Sequence, residues 1–131
     1  MKRLLLYTTI ACSPIAFNSC AEQPEEKNSA VITIAGPLED GQIHHLDTLQ
    51  IRGTIISTMN MHGYNVSIRK KDDTHAEVFY YDDHYHGSNK NLNIDWPCTL
   101  NESIELQLIM TAKLDHEGNA AIKTVDFNCE P

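Results

Sequence analysis

The sequence predicts an all-β fold, a single sandwich of two sheets. Three observations carry this. From Leu49 to Ile55 the apolar residues Leu49, Ile51 and Ile55 alternate with Gln50, Arg52 and Thr54, and similar runs recur along the chain. A strand with one buried face reads this way, because successive side chains leave opposite faces. The runs are divided by turn residues such as Gly36-Pro37, Asp72-Asp73 and Gly118. Beyond the N-terminal segment no stretch sustains the 3.6-residue apolar period of a helix.

Seven strands follow in order. Val31-Ile32-Thr33-Ile34 forms the first, stopped by Gly36-Pro37, and Leu49 to Ile55 forms the second. Tyr64, Val66 and Ile68 alternate with Asn65, Ser67 and Arg69 in a third. The fourth covers Ala76 to Tyr81, and Leu92, Ile94 and Trp96 mark the fifth. Ile104, Leu106, Leu108, Met110, Ala112 and Leu114 line one face of a long sixth, with Glu105, Gln107, Thr111 and Lys113 on the other. The seventh spans Ala120 to Cys129, with Val125 and Phe127 inward. Seven short strands in about 100 residues suit a β-sandwich.

Two segments sharpen that reading. Asp115-His116-Glu117-Gly118-Asn119, between two alternating strands, resembles the final hairpin of bacterial immunoglobulin-like domains. Leu49-Gln50-Ile51-Arg52-Gly53-Thr54, followed by Gly63-Tyr64-Asn65-Val66, resembles the second and third strands of such domains. The resemblance covers residues 30–131. It implies a single seven-stranded immunoglobulin-like β-sandwich and an exported setting, but no activity. Gly118 would supply positive φ in the hairpin turn.

The chain starts Met1-Lys2-Arg3, followed by a short apolar run from Leu4 to Ile10. That is too short for a membrane span and has the layout of an export signal. The segment Ala16-Phe17-Asn18-Ser19-Cys20 resembles the lipobox of bacterial lipoproteins, with Phe17 and Asn18 departing from its commoner residues. The resemblance implies a cleaved lipoprotein signal peptide at residues 1–19 and lipidation of Cys20. A membrane anchor in the bacterial cell envelope follows, at the outer membrane or facing the periplasm. The polar residues up to Ser29 make residues 20–29 a flexible tether to the domain. The alternative is an ordinary cleaved signal that leaves Cys20 as an odd thiol. In an exported domain Cys98 and Cys129 are most simply a disulfide. Closing a loop of about 30 residues would contribute on the order of 3–4 kcal/mol in the chain-entropy model.

Antiparallel succession from the second strand onward places the loops alternately at two ends. The end where the second strand finishes, here called upper, receives the loops at Thr58–Gly63, Asp82–Asn91 and Asp115–Gly118. Cys98 and Cys129 fall together at the lower end, with the inward parity of Trp96 and Phe127. The upper end therefore collects His62, His84, His86 and His116, four of the seven histidines. Imidazoles in this number suit zinc or copper, and the thioethers of Met59 and Met61 would add a soft donor for Cu(I). His84 and His86, two residues apart, leave one face of an extended segment and can reach one ion. Asp82, Asp83 and Asp115 are the carboxylates placed to orient the imidazoles from behind. The plainer alternative is a set of solvated loop histidines, with the methionines filling core gaps. His44, His45 and His75 belong to the lower end.

Composition narrows the partners. Ten Lys and Arg face 18 Asp and Glu, a net charge of −8, which argues against nucleic acid as a partner. No Gly-rich phosphate loop or serine nucleophile elbow is present, so no enzyme is expected. Two functions remain: a tethered metal-binding domain, and an interaction module that docks a protein or glycan without metal.

Overall fold

The computed structural model describes residues 26–131. The signal segment and Cys20 lie outside the described residues. Among the described residues there are eight strands and no helix. They are β1 (Ala30–Gly36), β2 (Gly41–His44), β3 (Thr48–Met61), β4 (Gly63–Lys70), β5 (Glu77–Asp83), β6 (Gly87–Pro97), β7 (Ile104–Lys113) and β8 (Ala120–Glu130). One sheet has the order β1-β3-β6 and the other β2-β8-β7-β4-β5.

The chain crosses between sheets after β1, β2, β3, β5 and β6, as in an immunoglobulin-like sandwich. Every ladder is antiparallel except β2 on β8, and from β3 onward successive strands send their loops to alternate ends. The eighth strand is β2, which pairs parallel with β8 from Gly41↔Phe127 to His44↔Glu130. With four residues and only Ile43 turned inward, it is too short to show alternation.

The two inner faces meet in one core. Ile51 and Ile55 of β3 and Leu92 and Trp96 of β6 pack toward the other sheet. That sheet contributes Val66 and Ile68, Leu106, Leu108 and Met110, and Phe127. Met61 belongs to this core: it is fully buried, the gap-filling place that stood as the alternative to a metal donor. It is the last residue of β3 and keeps that strand's inward parity, opposite Gly87 of β6.

The strands run further than the sequence pattern indicated, and the upper loops shrink accordingly. The expected loop at 58–63 reduces to His62, and the one at 82–91 to residues 84–86. Gly63 makes the first of these tight connections possible. Its φ is +145°, and a Cβ there would lie 2.7 Å from the carbonyl oxygen of Asp83.

Cys98 and Cys129 meet at the lower end, buried, with sulfurs 3.2 Å apart. The structure holds them as two thiols, where the sequence led us to expect a disulfide. The fold supplies the encounter, whereas the bond also requires an oxidant. Burial, with a hydrogen bond to Cys98, pushes the Cys129 thiol up to about 12.

Gly53 lies where β1, β3 and the opposite sheet are tightest. A Cβ at this position would come 2.5 Å from the Thr33 carbonyl oxygen and 3.1 Å from Met110 Cε. Gly53→Ala is expected to destabilise the domain by about 1–3 kcal/mol through overpacking, read from urea unfolding. An unchanged midpoint would show that β1 can move away without cost.

Candidate functional site: the upper-end histidine cluster

Three short connections deliver the four histidines. His62 is the one residue between β3 and β4, which lie in different sheets. Its backbone N–H donates to the Lys113 carbonyl at 2.8 Å, fastening the crossing to the end of β7. His84 and His86 occupy the three-residue link between β5 and β6. His116 sits in the β7–β8 hairpin. There Asp115 Oδ1 accepts from the N–H groups of Glu117 at 2.8 Å and Asn119 at 3.0 Å. This Asx-type turn shapes the backbone around His116.

The four rings form one continuous cluster. The His62 and His116 ring centroids are 3.9 Å apart, and those of His62 and His86 are 5.3 Å apart. His84 and His86 stand edge to face at 4.5 Å, their Nε2 atoms 2.9 Å apart. One of that pair donates to the other, so at least one tautomer is dictated by the neighbour. The intervening Tyr85 turns away, its hydroxyl donating to the Asn89 carbonyl at 2.6 Å. The i,i+2 spacing thus acts as expected, placing both imidazoles on one side.

His62 is the centre of the cluster chemically as well. Its Nδ1 is buried and has no hydrogen-bond partner among the described residues. Its pKa is lowered, first by desolvation, then by the charges His116 and His86 would carry; Asp115 opposes this. The lowered pKa keeps His62 neutral, with an imidazole lone pair free to act as a donor. In this arrangement the rings pack against one another. Among the described residues no group of three or more His, Cys, Asp or Glu side chains has its donor atoms set around one ion position.

The carboxylates expected behind the imidazoles have other partners. Asp115 is occupied by its own turn and by the side chain of Asn119, which hold its carboxyl below the usual range. Asp82 is paired with Lys113. Asp83 accepts from the Tyr64 hydroxyl at 3.0 Å and lies 3.6 Å from Lys90 Nζ. Met59, 41% exposed, does border the site: it shares a cavity of about 750 Å³ with His62, Asp115 and Glu117. A second cavity, about 440 Å³, is lined by His62, His84, His116 and Lys113. The remaining histidines are elsewhere. His45 Nδ1 meets the Leu100 carbonyl at 3.1 Å, His44 lies 3.7 Å from Asp47, and His75 is in the β4–β5 turn.

Sequence reasoning missed Asn28. It sits in a polar stretch without periodicity, yet its side chain is hydrogen-bonded to β3 and to the start of the β7–β8 hairpin. The antiparallel pairing of β1 on β3, starting at Ala30↔Ser57, brings the chain in at the upper end.

No family model matches the chain, and no curated protein matches it. Two solved structures are similar in chain path, both of the CARDB domain of the PF1109 protein from Pyrococcus furiosus. The solution structure is 12% identical and covers 80% of this chain and 97% of that one, with a TM-score of 0.46. The crystal structure, described as in complex with di-metal ions, is 12% identical, with 83% and 100% covered and a TM-score of 0.46. Likeness at that level says nothing about ligands of this chain.

Proposed function

We propose that this protein is a membrane-tethered bacterial envelope lipoprotein whose upper end binds one zinc or copper ion through His62, His84, His86 and His116. The observation that carries the reading is the junction of four imidazoles from three separate connections, with a buried, unpartnered Nδ1 at its centre. Neutral imidazole is a ligand for both metals. The rings contact one another already, and their side chains would have to rotate to turn the nitrogens toward one ion. Met59 on the rim would favour Cu(I), since thioether sulfur is soft. The domain would serve to bind or carry the ion without catalysis.

A second reading is a docking module for a protein or glycan. Tyr80 and Tyr81, 54% and 38% exposed on the edge strand β5, favour it. Aromatic faces beside an open strand edge suit such partners.

Calorimetric titration of the purified protein with Zn²⁺ and Cu²⁺ distinguishes the two. We expect one ion per chain at micromolar affinity or tighter, and loss by more than about 100-fold in a His84→Ala/His86→Ala variant. Lowering the pH from 7 to 5 is expected to weaken binding, because protonation removes the lone pairs that hold the ion. Absence of binding, or an unaffected double variant, would leave the docking module.

We also propose that Cys98 and Cys129 are joined in the exported protein. Thiol titration of the unfolded, unreduced protein from an oxidising compartment should then find neither as a free thiol. Two free thiols would mean that the buried pair stays reduced.

A further inference from the structure

We infer that Asn28 is a positioning residue for the proposed metal site, holding the His62 and His116 connections at the spacing that lets both reach one ion. The inference rests on the metal reading above. Asn28 lies just before β1, at the point where the chain enters the sandwich. Its Nδ2 donates to the Asn60 carbonyl at 3.1 Å and to the Leu114 carbonyl at 3.0 Å. Its Oδ1 accepts from the Met59 N–H at 3.0 Å and from the Thr58 hydroxyl at 3.3 Å.

The two acceptor carbonyls matter by their position. Asn60 precedes His62 by two residues, and Leu114 precedes His116 by two residues. Asn60 is in β3 of one sheet, and Leu114 directly follows β7 of the other. One carboxamide therefore bridges the backbones that deliver the two rings found 3.9 Å apart. Only a side chain with two donors and an acceptor can do this. An aspartate would keep the acceptor and lose both donors, setting its charge against two carbonyl oxygens. Metal affinity depends on such outer contacts because they fix ligand geometry before the ion arrives.

Removing the side chain leaves the chain path supported. Thr58 N–H donates to the Ser29 carbonyl at 2.9 Å, and Ser29 N–H donates to the Thr58 hydroxyl at 3.0 Å. Asn28 makes no contact with the 84–86 link among its hydrogen bonds, so the His84–His86 half of the site is left as it was.

The test is a double-mutant cycle read by Zn²⁺ titration, with circular dichroism confirming that each variant is folded. Asn28→Ala and Asn28→Asp are each expected to weaken Zn²⁺ binding by about 10–100-fold. In a His116→Ala background the same Asn28→Ala change should cost less than about threefold, because the ring it positions is gone. Ile43→Ala, a core change at the lower end, should destabilise the fold and leave affinity unaltered. Wild-type affinity in Asn28→Ala, or an equal loss with and without His116, would overturn the inference. Failure of the wild-type protein to bind Zn²⁺ or Cu²⁺ would instead reject the metal reading itself.

Discussion

A one-residue crossing between two sheets governs the upper end of this molecule. Met61 is in register with Gly87 across one sheet, and Gly63 is in register with Lys113 across the other. His62 alone must carry the chain from the first sheet to the second. Its backbone has little freedom, and its ring is delivered into the gap between the sheets' ends. Gly63 allows the turn by its positive φ, and Met61 seals the core beneath it. The other two connections arrive beside this crossing because the same registers end β5 and β7 at the same height.

Chemistry at that end follows from crowding. Desolvation, and then the neighbouring His116 and His86 rings, lower the pKa of His62. The nearby carboxylates, which would favour imidazolium, are spent on Lys113, Lys90, Tyr64 and the hairpin turn. What remains is a set of imidazole nitrogens gathered on short connections, next to a cavity and an exposed thioether. The lower end has a different character, with a buried pair of cysteines, Cys98 just after β6 and Cys129 near the end of β8.

Much of the fold was legible because burial in a half-exposed strand leaves a two-residue imprint. The long strands β3, β4, β7 and β8 carry it clearly, and loop placement follows from alternating direction alone. The histidine gathering could therefore be read before any coordinates. Strand β2 could not, because four residues with one apolar position leave no period. Loop lengths were overestimated where strands continue through polar residues, such as Asn89 and Asn91 opposite Ile56 and Thr54. That error put Met61 in a loop. Asn28 was invisible for another reason: a single amide capping two distant backbones has no local sequence signature. Carboxylate roles were similarly hidden, since Lys113, Tyr64 and Lys90 lie far from Asp82 and Asp83 in sequence or in another strand.

The central claim is that four histidines act together while three do not. Paramagnetic broadening of histidine ring resonances by substoichiometric Cu²⁺ tests it within one sample. His44, His45 and His75 serve as the internal comparison. The account predicts that the His62, His84, His86 and His116 signals vanish together while the other three persist. Uniform broadening of all seven, or none at the upper end, would contradict it.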